Sequence, residues 1–144
     1  MNILVTADDS YLPHVRTMLY SLFLNNEGER FHVYLLRAAD SVCRTTSLEH
    51  LCAARGSRLT AIPFDESVFK DAPVTSYYSK AMYFRLLAWR VLPAEVDRAL
   101  YLDPDTLIIN AVRDLYATDI GGNLFAAATH VGRTSALGIF NRVR

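Results

Sequence analysis

Short apolar runs alternate with helix-period segments along most of this 144-residue chain, and that alternation restricts its fold more than any other feature. Asn2 to Thr6 is an apolar run ending at the polar Asp8-Asp9-Ser10, the pattern of a buried strand. Pro13 suits a first helical turn. Behind it Val15, Met18, Leu19, Leu22 and Phe23 recur at i, i+3, i+4, i+7 and i+8, which makes one apolar helix face, and Asn25-Asn26-Glu27-Gly28 stops it. Phe31 to Leu36 reads as a second strand. Asp40 or Ser41 offers a cap for a second helix carrying Leu48, Leu51 and Cys52, closed by Gly56. Arg58 to Phe64 reads as a third strand, and Asp65 to Ser76, without a period, as a loop. The pattern predicts a helix from Ser79 to Leu92, with Met82, Tyr83, Leu86, Leu87 and Trp89 toward the core and Pro93 as its stop. Ala99 to Leu102 is a fourth strand, Leu107 to Ile109 a further extended run, and Leu124 to Thr129 a last strand candidate. No pattern decides the tail from Thr134.

Strand–helix alternation implies an α/β sandwich with a mostly parallel sheet, because parallel neighbours need crossover connections. Ligands of such sheets bind in the crevice at the strands' carboxyl ends. Asp8-Asp9 and Asp103/Asp105 both follow strands, so the two acidic clusters are expected on one edge. No repeat or linker divides residues 1–144, which are read as part of a single domain.

Composition narrows the function classes. Hydrophobic residues make up 51% of the chain, which excludes a disordered segment. Fifteen basic residues balance fifteen acidic ones, and that neutrality argues against nucleic acid as a partner. Met1 to Ala7 has no basic flank and runs into acid, which fits a first strand and not a signal peptide. No uncharged apolar stretch approaches the roughly eighteen residues of a membrane span. Cys43 and Cys52, both read as helical, would stand roughly 13 Å apart, too far for a disulfide. Buried thiols in a reducing, cytoplasmic setting are the expectation.

Asp103-Pro104-Asp105 carries the most chemistry. On extended backbone, residues i and i+2 share a face, so two carboxylates would meet there and favour a hard cation between them. A solvated turn set by Pro104 is the alternative. The apolar runs on both sides, Ala99-Leu100-Tyr101-Leu102 and Leu107-Ile108-Ile109, favour the cation, since burying charge beside them is costly. Asp8-Asp9-Ser10-Tyr11 can cap a helix or hold a base through a carboxylate and a stacked ring. Arg85, alone in the apolar Tyr83-Phe84-Arg85-Leu86, can snorkel to water or reach a sugar hydroxyl or phosphate. Lys80 is open to the same two readings. The four histidines have no metal-ligand spacing, and no glycine-rich phosphate loop occurs.

Three blocks together resemble glycosyltransferase family 8, and they occur in that family's order and at its spacing: Ile3-Leu4-Val5-Thr6-Ala7-Asp8-Asp9-Ser10-Tyr11, Tyr83-Phe84-Arg85-Leu86, and Val96-Asp97-Arg98-Ala99-Leu100-Tyr101-Leu102-Asp103-Pro104-Asp105-Thr106-Leu107-Ile108. The resemblance implies a Rossmann-like GT-A fold and a retaining hexosyltransferase with a UDP-sugar donor, UDP-galactose or UDP-glucose. It also implies a glycan or lipopolysaccharide-type acceptor and a divalent cation, Mn²⁺ or Mg²⁺. By motif position Asp103 and Asp105 would hold the metal, Asp8 would accept from uracil, and Tyr11 would stack on it. Ala7 would contribute backbone, and Arg85 would contact the donor's sugar.

Ser10 stands where the family often has Asn. The family's later His-x-x-Gly-x-x-Lys segment, which supplies a third metal ligand and a diphosphate-binding lysine, has no counterpart here. The chain is therefore expected to be a donor-binding half with weak or no transfer by itself, completed by a second polypeptide or acting as a non-catalytic binder of UDP-sugar. Asp103-Pro104-Asp105-Thr106 also partly fits the haloacid-dehalogenase-like phosphatase pattern, with Asp103 as nucleophile.

Overall fold

An apolar run becomes a strand where another lies beside it to take up its backbone N–H and C=O groups, as happens for four of the runs. A computed structural model describes residues 1–71 and 80–128, and within them every side chain but those of Lys80 and Met82. Strands β1 (Asn2–Thr6), β2 (His32–Ala38), β3 (Arg58–Phe64) and β4 (Leu100–Tyr101) form one sheet in the order β3-β2-β1-β4. Every pairing is parallel, with Asn2 beside His32, His32 beside Arg58, and Ile3 and Leu4 beside Leu100 and Tyr101. Residues 3–6 of β1 and 33–37 of β2 are buried without alternation, as strands covered on both faces must be. Pro63, which cannot donate to a ladder, sits in the edge strand β3.

One face is covered by α1 (Leu12–Leu24) and α2 (Thr46–Ala53). The five apolar residues of α1 picked out by periodicity are all buried against Ile3, Val5, Val33 and Leu35, with Leu48 and Cys52 of α2 alongside. The other face packs Leu4, Tyr34, Leu36 and Phe64 against Ala81, Phe84 and Ala88 of the segment Lys80–Arg90. Phe84 stacks on Phe64 with ring centroids 4.6 Å apart.

That segment corrects the expected helix twice. It is 3₁₀-helical, and Ala81, Phe84 and Leu87 fall three apart in line along its sheet-facing side. Its buried face also differs: Leu86 and Trp89 are 63% and 73% exposed, while Ala81 and Ala88 are buried. Leu87 packs on the sheet as expected, but Ala81, Phe84 and Ala88 fill the rest of that face, and Leu86 and Trp89 point away. The side chain of Met82 lies outside the described residues.

Other boundaries move for local reasons. The second helix begins at Thr46, since the N–H groups of Val42 and Cys43 already donate to Asp9. Cys43 is exposed, not buried as expected, whereas Cys52 is buried; neither forms a disulfide. Within the expected loop, Asp65 caps a 3₁₀ turn at Glu66–Phe69, and residues 72–76 lie outside the description. Leu107 to Ile109 does not join the sheet, because Ser21 of α1 and Asn25 at its C-cap bond the N–H and C=O of Ile108. Residues 124–128 form no strand, and Leu124 and Phe125 are exposed. Thr129 and the tail from Thr134 lie outside the described residues. A short helix, α3 (Arg113–Ala117), follows β4. No helix of the described residues is long and apolar enough to cross a membrane.

The loop after β2 is latched to the end of β1 by an ion pair. Buried Arg37 donates from Nη2 to Asp9 and from Nη1 to the Cys43 carbonyl at 2.7 Å. Burial works to raise the Asp9 pKa, but the Cys43 N–H, the Arg37 guanidinium and the Val42 N–H bring it down to about 2. The same carboxylate, hydrogen-bonded to the Cys43 thiol, pushes that thiol above its ordinary range.

Two predictions follow from this packing. Phe84→Ala should cost about 3–5 kcal/mol in urea unfolding, and Leu86→Ala no more than about 0.5 kcal/mol. If the two costs were similar, the buried face would be wrongly assigned. The second concerns acid. A carboxylate with a depressed folded pKa stabilises above its unfolded value, near 3.9, and loses that contribution as pH falls toward the folded one. Asp9 should thus contribute about 2 kcal/mol that fades between about pH 4 and pH 2. Unfolding of Asp9→Asn across that window should show a correspondingly flatter pH dependence; an unchanged slope would contradict the latch.

Candidate functional site

The strand order places one crevice. β2 and β3 lie to one side of β1 and β4 to the other, so the order reverses between β1 and β4. In open parallel sheets that switch point, at the carboxyl ends, is where ligands bind. Ala7 and Asp8 leave β1 there, and Leu102 and Asp103 leave β4. Parallel pairing puts both exits on the same edge, as expected from the sequence. The ladder is extended by Leu102 N–H donating to Leu4 O at 3.0 Å.

On the β1 side, buried Ala7 donates its N–H to Leu36 O at 3.1 Å, which leaves its carbonyl as the backbone group not spent on that bond. Asp8 caps the 3₁₀ turn Asp9–Tyr11. Its Oδ1 accepts from Ser10 N and Tyr11 N at 3.0 and 3.2 Å and from Ser10 Oγ at 2.5 Å. The capping role is therefore real, and it employs one oxygen. Among the described residues nothing bonds the Oδ2 of Asp8. Tyr11 is 39% exposed, and its ring lies 4.9 Å from that of His14, so one aromatic surface stands at the rim. Asp9, grouped with Asp8 by sequence, turns instead to Arg37.

On the β4 side the backbone is turned, not extended. Thr106 donates to Asp103 O from both N and Oγ1, at 3.2 and 2.7 Å, closing Asp103-Pro104-Asp105-Thr106 into a turn with Pro104 buried. Alternation along a strand therefore does not bring the two carboxylates together; the turn presents both as exposed side chains. Arg85 reaches this turn from the 3₁₀ segment. Its Nη1 donates to Asp103 Oδ1 and to the Tyr101 hydroxyl, each at 3.1 Å, and its guanidinium lies 5.0 Å from the Tyr101 ring centre. Tyr101 donates to the same Oδ1 at 2.6 Å. Burial and the Asp103 carboxylate push the Tyr101 hydroxyl up to about 12, so it keeps its proton at neutral pH.

Arg85 and Asp103, 18 residues apart, are thus joined directly, while Asp105 has no protein partner among the described residues. No third Asp, Glu, His or Cys there joins the pair to complete a metal cage. Two exposed carboxylates with open positions are a donor set suited to a hard divalent cation that keeps water or phosphate as its other ligands. Sequence reading missed Tyr101 and Thr6, whose hydroxyls lie 3.3 Å apart. Tyr101 counted as part of an apolar run, although its place two residues before Asp103 was a usable signal. A concavity of about 290 Å³, lined by Arg30, His32 and Arg58 among others, lies at the strands' amino ends and holds none of these groups.

The chain is 27% identical over 131 residues to a lipopolysaccharide 1,2-glucosyltransferase of Escherichia coli (strain K12), covering 91% of this chain and 39% of that one. It is 27% identical over 139 residues to general stress protein A of Bacillus subtilis (strain 168), covering 95% and 49%. It therefore spans less than half the length of these relatives. The galactosyltransferase LgtC, solved with donor and acceptor sugar analogues, matches with a TM-score of 0.75 at 23% identity, over 84% of this chain and 44% of that one. That likeness shows the fold, the GT-A arrangement. The model of glycosyl transferase family 8 matches residues 2–142, and the chain belongs to that family.

Proposed function

We propose that this chain carries the donor side of a metal-dependent, retaining hexosyltransferase that draws on UDP-galactose or UDP-glucose. One observation supports this above the others: the three sequence blocks meet at the switch point, with Arg85 bonded to Asp103 beside the end of β1. The reading accounts for the Asp8, Arg85 and Asp103 blocks at once. A phosphatase reading of Asp103 leaves the first two unexplained.

In this reading Asp8 accepts from the uracil through its unengaged Oδ2 while Oδ1 keeps the turn in place. Tyr11 offers its exposed ring to the base, and the Ala7 carbonyl accepts a further hydrogen bond. Asp103 and Asp105 would hold Mn²⁺ or Mg²⁺, which when bound neutralises the diphosphate and stabilises the charge that develops on departing UDP. Arg85 supplies a cation to the donor's sugar from the same cluster. A glycan of the lipopolysaccharide class is the proposed acceptor, by likeness to the Escherichia coli relative.

Calorimetric titration with UDP tests the reading. Binding should require Mn²⁺, and Asp103→Asn or Asp105→Asn should weaken it at least about tenfold, in line with the loss of a metal ligand or its support. Tyr11→Ala should weaken it by about 1–3 kcal/mol, the usual worth of one base stack. UDP affinity that is indifferent to Mn²⁺ and to Asp103→Asn would overturn the proposal.

A further inference from the structure

We infer that Tyr101 is a positioning residue for Asp103, pinning one carboxylate oxygen so that the other is the one presented to a divalent cation. The inference rests on the reading of Asp103 as a metal ligand. The donors crowd onto one side of that carboxylate: Tyr101 and Arg85 both bond Oδ1, at 2.6 and 3.1 Å, and no described residue bonds Oδ2.

The direction of each bond follows from counting protons. A carboxylate only accepts, so the Tyr101 hydroxyl spends its one proton on Asp103. Its lone pairs then accept from Arg85 Nη1 at 3.1 Å and from Thr6 Oγ1 at 3.3 Å, which makes Thr6 the donor of that pair. A relay runs outward from the sheet: Thr6, buried in β1, to Tyr101 in β4, to exposed Asp103. Its inner members are fixed by the β1–β4 ladder, so the carboxylate at its outer end inherits a defined orientation.

Charge separates the roles of the two donors. A neutral hydroxyl can hold Oδ1 while a cation sits at Oδ2, whereas a guanidinium on the same carboxylate repels that cation. Tyr101 is therefore the partner that stays compatible with the bound metal, and Arg85 the one free to turn to the donor. Groups that orient a metal-ligating carboxylate typically change metal affinity by about 10–100-fold when removed.

The test is Mn²⁺ titration of the 144-residue chain, read from the electron paramagnetic resonance of free and bound Mn²⁺, with no transfer reaction involved. Asp103→Asn should remove the site. Tyr101→Phe, which keeps the ring and its packing, should weaken Mn²⁺ about 10-fold or more and broaden the bound spectrum, as a less ordered coordination would. Thr6→Val should move both readouts the same way by less, and it serves alone if Tyr101→Phe lowers the melting temperature. If Asp103→Asn abolishes binding while Tyr101→Phe and Thr6→Val match the wild type in affinity and spectrum, the positioning role is overturned and the metal reading stands. If wild type and Asp103→Asn bind Mn²⁺ equally, or neither binds it, both fall.

Discussion

Two backbone pairings carry the geometry of the candidate site: Ile3 beside Leu100 and Leu4 beside Tyr101. β4 is only two residues long, yet it is the strand that turns a three-stranded β3-β2-β1 sheet into one with a switch point. So short a strand needs support at both ends. At its carboxyl end Leu102 extends the ladder to Leu4, and Tyr101 meets Thr6. At its amino end Asn2 Nδ2 donates to Arg98 O at 3.0 Å. Arg98 in turn donates to the carbonyls of Tyr116 and Thr118, at 2.7 and 2.9 Å, so α3 fastens the start of β4. The side chains that hold β4 in place are thus distributed along its whole length, and the crevice between Asp8 and Asp103 depends on them.

Acidic residues on this edge meet two opposite fates. Asp9 is satisfied from inside by Arg37 and two backbone N–H groups, and it serves the fold. Asp103 and Asp105 remain outward, with Asp105 and one oxygen of Asp103 unmatched by any described donor. Carboxylates whose only task is stability are usually paired or fully solvated. Here one is gripped on a single side by a tyrosine and an arginine, an orientation that fits a ligand better than a random surface charge.

Much of the fold was legible because local pattern and burial agree. The periodicity of α1 names its five buried residues, and the unbroken apolar runs of β1 and β2 match strands covered on both faces. The family blocks likewise locate Asp8, Arg85 and Asp103 on converging segments. What escaped was decided by tertiary context. The phase of Lys80–Arg90 was legible only in part: Leu87 packs on the sheet as the pattern predicts, but Ala81, Phe84 and Ala88 take the places given to Leu86 and Trp89. The Asp9–Arg37 latch spans 28 residues and left no local trace. Tyr101 hid in plain sight, because an apolar run was read for its burial and not for the hydroxyl within it.

The central claim is that donor diphosphate and metal sit on the carboxyl edge between β1 and β4. Mn²⁺ added with UDP to ¹⁵N-labelled protein tests it directly, since the paramagnetic ion erases amide resonances near it. The signals of Asp8, Tyr11, Asp103 and Thr106 should vanish first, while those of Arg30, Gly56 and Arg58 at the opposite edge persist. Bleaching centred on the opposite edge, or spread evenly over the chain, would contradict the account.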